Sequence, residues 1–228
     1  MAREPLLKSG QTSTLGTQTA LPAEVASVLR NTYLLLGMTL AFAAAVAFVT
    51  MSMNIGRIGF LPMLAGFFGL LFLVEKTADS AWGLLSAFLF TGFLGFTLGP
   101  ILNMYLALPN GGTLVGSALG TASLAFVGLS GYALVTRKDF SFLAGFLTVG
   151  FFVLMGAVVC SWLFNLSGFH TAISAGFVLF ASAAILYQTG AIVNGGERNY
   201  IRATTTLFVS FYNLFLSLLQ IFGVMGDD

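Results

Sequence analysis

The sequence predicts an all-α integral membrane protein, a bundle of seven transmembrane helices with the last helix at its centre. Three observations predict it. Charged residues are only 7% of the 228, while hydrophobic residues reach 57%. A soluble domain carries about 25% charge, and one of this length has too little interior to hide so much apolar surface. Mean hydropathy is +0.96, and the apolar residues gather into seven runs of membrane-spanning length. The last run differs from the rest, because a line of polar residues follows its helical repeat.

Taken in order, residues 1–29 are rich in Gly, Ser, Thr, Gln and Pro with scattered charge. They hold too few large apolar residues to fold alone and read as a disordered tail, ahead of a single domain over residues 30–228. No cleavable signal is expected, since a long polar stretch precedes the first apolar run. The runs cover 32–53, 58–74, 81–104, 112–135, 141–164, 169–192 and 201–223. At about 1.5 Å per residue, some twenty residues cross a hydrocarbon core of about 30 Å. The second run is the shortest and the seventh the least hydrophobic. Six spans with a buried or re-entrant last helix is therefore the alternative count.

Seven spans put Arg3, Lys8, Arg30, Lys76, Arg137, Lys138, Arg198 and Arg202 on one side and only Arg57 of the nine basic residues on the other. Basic loops resist translocation, so the N-terminus is expected in the cytoplasm and the C-terminus outside. Trp82, Trp162, Tyr33, Tyr105, Tyr132, Tyr187 and Tyr200 fall near span ends, where amphipathic rings favour the interface. Tyr212 alone falls in mid-span. Gly95 and Gly99 in the third run, and Gly112, Gly116 and Gly120 in the fourth, have the spacing that lets two helix backbones approach. Contacts inside the bundle are expected for both.

In the seventh run Arg202, Thr206, Ser210, Asn213, Ser217 and Gln220 recur at steps of three and four. They share one helix face, with Leu207, Phe208, Phe211, Leu214, Phe215, Leu218 and Leu219 opposite. Lipid cannot satisfy such a stripe, so it is expected to face other helices or a wet cavity. Interhelical hydrogen bonding is the preferred role.

Little in the chain supports catalysis. Phosphate-loop, zinc-protease, nucleophile-elbow and Cys-x-x-Cys motifs are all missing. His170 stands alone at a span end, and Cys160 is the only cysteine. Neither an enzyme nor a cofactor is expected, and a net charge of +1 gives no reason to expect nucleic acid. All eight acidic residues lie in tails, loops or span ends, away from the mid-membrane depth where pumps and cation pores keep them. Glu75, Lys76 and Asp79 are expected to act as interfacial anchors and latches, paired among themselves or with Arg198 or Arg202.

Several stretches carry a family likeness. They are Leu29-Arg-Asn-Thr-Tyr-Leu-Leu-Leu-Gly, Thr91-Gly-Phe-Leu-Gly-Phe-Thr-Leu-Gly-Pro-Ile-Leu-Asn, Thr136-Arg-Lys-Asp-Phe-Ser-Phe-Leu, Ile185-Leu-Tyr-Gln-Thr and Asn194-Gly-Gly-Glu-Arg-Asn-Tyr-Ile-Arg-Ala-Thr. With them the chain resembles the Bax-inhibitor-like (transmembrane Bax-inhibitor-motif) family, most of all its bacterial YccA branch. The resemblance implies seven helices with the last one central, in the bacterial inner membrane. It also implies a modulator of the FtsH membrane protease that binds FtsH and its HflK–HflC partners and affects membrane-protein turnover. The tail, with Met1, Arg3, Lys8 and Glu24, would be the segment that the protease engages. Other members are thought to leak calcium or protons through two aspartates, which match Gln188 and Ser210 here. A neutral amide and a hydroxyl neither titrate nor neutralise a divalent cation, so the leak channel is the lesser alternative.

Overall fold

The computed structural model describes residues 21–164 and 167–225. Seven helices follow one another: α1 (Ala23–Ser52), α2 (Phe60–Thr77), α3 (Gly83–Leu106), α4 (Gly111–Thr136), α5 (Leu143–Phe164), α6 (His170–Val193) and α7 (Tyr200–Met225), with a short 3-10 turn at Ser167–Phe169 before α6. Each of the seven is long and apolar enough to cross a membrane. The last is as long as its neighbours, so the seven-span count holds over the re-entrant one.

α1 begins earlier than hydropathy indicates. Residues 23–29, assigned to the tail, are helical. Pro22 stands just ahead of the helix, where its missing N–H costs nothing, and Glu24 lies in the first turn, where a carboxylate complements the positive helix end. Apolar runs register the hydrocarbon, while a helix continues through the interface as long as its ends are satisfied. Met1, Arg3 and Lys8 lie outside the described residues.

α7 packs against α1, α2, α3, α4 and α6, which makes it the central post. Phe90, Leu94, Ile185, Leu207, Phe208, Leu214 and Leu219 are almost wholly buried around it. α1 and α3 form the closest pair outside that post. Gly95 and Gly99 lie directly against the backbone of α1 at Ala43 and Ala47, where any Cβ would overlap the carbonyl oxygens. Removing side chains there lets two backbones gain dispersion contact. Asn103 Nδ2 closes the same pair by donating to the Met51 carbonyl at 3.0 Å.

The expectation fails for the fourth helix. A Cβ at Gly112, Gly116 or Gly120 would meet nothing within 4 Å. α4 turns its other side inward, through Leu114, Ala118, Ala122, Phe126 and Ala133. α5 is the most peripheral helix. It packs on α6, and none of its most apolar stretch is buried in the protein. Large apolar side chains such as Phe48, Phe72, Leu124, Val135 and Phe152 point outward, as a lipid-facing surface requires.

Candidate functional site

One end of the bundle gathers the charges. The start of α1, the α2–α3, α4–α5 and α6–α7 connections and the start of α7 all meet there. The connection Asn194-Gly-Gly-Glu-Arg-Asn organises it. Gly195 takes φ +73°, a left-handed turn that suits glycine. The following N–H groups of Gly196 and Glu197 both donate back to the Ala191 carbonyl, at 2.8 and 3.1 Å, and so end α6. Asn194 Nδ2 donates to the Gly190 carbonyl at 2.9 Å and to the Lys138 carbonyl at 3.2 Å, tying in the α4–α5 connection.

Asn199 then does two things at once. Its Oδ1 accepts from the N–H groups of Ile201 and Arg202 at 2.8 and 3.2 Å, which caps α7. Its Nδ2 donates to the Ala78 carbonyl at 3.0 Å and to Asp79 Oδ1 at 2.7 Å, which binds the α2–α3 connection. Glu197 Oε1 accepts the Asn199 N–H at 2.8 Å and holds that residue in place. Arg202 completes the clasp: Nη2 is 2.8 Å from Asp79 Oδ2 and Nε is 2.8 Å from Glu75 Oε1. Nη2 donates to Asp79, whereas Nε has charge contact with Glu75 without hydrogen-bond alignment.

The latch candidates thus divide. Glu75, Asp79 and Arg202 come together. Arg198 instead stands 3.7 Å from Glu24, so Glu24 belongs to a helix-end contact and not to a free tail. Lys76 joins no ion pair among the described residues and lies over the Phe72 ring, 5.7 Å from its centre. Its long stem follows the lipid-facing side of α2 toward the interface. The sequence analysis missed Asn194, Glu197 and Asn199. An Asn just ahead of an apolar run is an N-cap signal that could have found Asn199; its second bond, to the α2–α3 connection, has no local signal.

The polar line along α7 is only partly enclosed by its neighbours. The apolar side, with Leu207, Phe208, Leu214 and Leu219, faces the bundle interior. Hydroxyls are buried with it. Thr204 Oγ1 donates to the Thr32 carbonyl at 3.1 Å, and the Tyr212 hydroxyl lies 3.0 Å from Thr97 Oγ1. Of the expected stripe, Ser210 and Ser217 are buried, Arg202 and Asn213 are half-buried, and Thr206 and Gln220 are exposed. The apolar side is the wider of the two and takes the interior. Asn213, Ser217 and Gln220 of the polar line border a cleft of about 390 Å³ toward α2, α5 and α6, lined also by Phe60, Trp162 and His170 among others. Gln220 Oε1 accepts a hydrogen bond from Ser174 of α6. Phe60 and Trp162 stack across the cleft's outer rim with centroids 5.2 Å apart.

Gln188 is buried on α6 and Ser210 on α7, two helices packed on each other. Ser210 Oγ donates to the Thr206 carbonyl at 2.8 Å. Among the described residues every acidic side chain lies at a helix end or in a connection, and no group of three or more His, Cys, Asp or Glu is placed to hold a metal.

Residues 25–227 match the family described as inhibitor of apoptosis-promoting Bax1. An uncharacterized protein of Pseudomonas aeruginosa is 60% identical over 94% of this chain and 96% of its own length. A Pasteurella multocida protein, also uncharacterized, is 50% identical over 91% of this chain and 90% of its own. The modulator of FtsH protease YccA from Escherichia coli is 49% identical over 88% of this chain and 91% of its own.

Proposed function

The chain belongs to the Bax1-inhibitor family, and from that premise we propose that it modulates the FtsH membrane protease from within the bacterial inner membrane. The observation that carries this reading is the 49% identity, across nearly both whole chains, to a protein named for that role. In this reading the basic end of the bundle lies in the cytoplasm with the N-terminus, the C-terminus is periplasmic, and the protein associates with FtsH and HflK–HflC. It alters the turnover of other membrane proteins and performs no catalytic step of its own.

Arg198 faces Glu24 in the first turn of α1, so α1 begins beside the α6–α7 connection, and a partner that engages the N-terminus works next to it. The leak-channel alternative has less to stand on, since Gln188 and Ser210 are neutral and no carboxylate among the described residues lies at mid-depth.

Pulse–chase of a tagged FtsH membrane substrate tests the proposal. Overproducing the full chain should lengthen the substrate's half-life. Deleting residues 1–20, which leaves α1 whole, should abolish co-purification with the protease while the protein still elutes as a folded species. An unchanged substrate half-life would refute it.

A further inference from the structure

α7 borders a second cleft of opposite chemistry. About 420 Å³ in volume, it is lined by Ala44 and Phe48 of α1, Leu98 of α3, Leu119 of α4 and Phe208 and Phe215 of α7 among others. Tyr212 is the one lining residue with a polar side-chain group, and its hydroxyl is already paired with Thr97 Oγ1 at 3.0 Å. α1 and α4 each pack on α3 and α7 but hardly on each other, so the cleft opens between them toward the bilayer. Toward the charged end it is blind: Tyr33 of α1 meets Phe126 of α4 edge to face, and Phe126 meets Phe211 of α7 in the same way.

Size and chemistry identify what fills it. Along α1 the lining runs from Leu40 to Met51, roughly 16 Å at the standard rise and about half of a hydrocarbon core of about 30 Å. The cleft thus spans one leaflet, the one away from the charged end. Water finds no unpaired group to bond there. A dry void of that volume would cost as much as a domain's whole stability. A helix is about 10 Å across with its side chains, so a length matching the cleft fills roughly 1,200 Å³; it would rest across the opening and leave the floor uncovered. An acyl chain is slim enough to enter and apolar throughout. Bulk lipid gives it no hydrophobic gain, so dispersion contact with the close-packed walls of four helices holds it.

We propose that this cleft is a binding site for one acyl chain of a membrane phospholipid, wedged between α1 and α4 against the central helix. Ala43 and Ala47, which border the cleft, are the residues whose backbone lies on Gly95 and Gly99, so the chain braces the α1–α3 seam from its other side. The lipid is then a ligand of the bundle, unlike the exchanging lipid around α5. This inference does not depend on the FtsH reading.

Photocrosslinking of the full chain tests it. A small diazirine-bearing aliphatic residue is placed at position 119, which lines the cleft, or at position 124, on the outer surface of the same helix. The protein is reconstituted in phosphatidylcholine vesicles, then moved into lipid-free detergent and irradiated. Position 119 should still give a phospholipid adduct, about tenfold more than position 124, because lipid around the outer surface exchanges away. Ala44→Phe puts a ring into the cleft and should lower the yield at position 119 to that at position 124, while leaving thermal melting unchanged. Val115→Phe replaces it if Ala44→Phe melts lower or aggregates. Equal yields at the two positions, adducts at position 119 to detergent or to a second copy of the chain, or a yield that survives the filled cleft would each overturn the proposal.

Discussion

α3 and α4 carry the same written sign and use it in opposite ways. Gly95 and Gly99 are filled by the backbone of α1, whereas Gly112, Gly116 and Gly120 meet nothing in the protein. Four-residue glycine spacing shows only that a helix can be approached closely on that side. Which side is approached depends on what else the helix offers. α3 has its glycines on one side and, about half a turn away, Thr97 paired with Tyr212 of the central post, so it is packed on both sides. α4 instead offers Leu114, Ala118, Ala122 and Phe126 two positions along, about half a turn away. Those larger apolar residues gain more by burial than three glycines would, and they take the inward side.

The largest effect should come from filling the occupied seam. Gly99→Leu forces a side chain into the Ala47 carbonyl and the Thr50 side chain. A loss of about 3 kcal/mol or outright failure to fold is expected, because overpacking against backbone cannot relax. Thermal melting in detergent, followed by gel filtration, reads it. A smaller loss of about 1 kcal/mol is expected for Tyr212→Phe, which leaves Thr97 without its 3.0 Å partner in a buried site. Smallest of all, Gly116→Ala and Thr206→Val should each stay within about 0.5 kcal/mol of the parent in the same assay, as outward positions do. A destabilisation at Gly116 as large as at Gly99 would erase the distinction between the two helices.

Much of the fold was legible because hydrocarbon imposes a length. All seven spans follow from their runs, and the central place of α7 follows from its mixed character. The errors lie where the bilayer gives no instruction. α1 runs back to Ala23 because Pro22 and Glu24 satisfy its end in the interface, beyond the reach of hydropathy. Helical periodicity grouped Thr206, Asn213 and Gln220 on one side of α7, expected toward other helices or a wet cavity, and could not say how much of that side the neighbours would cover. At the charged end, Glu75, Lys76, Asp79 and Arg198 are the latch candidates, with Arg202 an expected partner, but the pairing of Glu75 and Asp79 with Arg202 rests on Asn199, which joins segments more than a hundred residues apart. Pairing of that kind is set by the whole bundle.

The Asn199–Arg202 clasp has a mechanical consequence. It rivets the α2–α3 hairpin to the α6–α7 hairpin on one side of the membrane, whereas the far rims of α2 and α5 touch through the Phe60–Trp162 stack. α7 has 26 residues, roughly 39 Å at the standard helical rise, and its far end carries a tie of its own, Gln220 to Ser174 of α6. The post is therefore held at both ends, by ionised groups on one side of the membrane and by a neutral amide and hydroxyl on the other, so added salt weakens the first and spares the second.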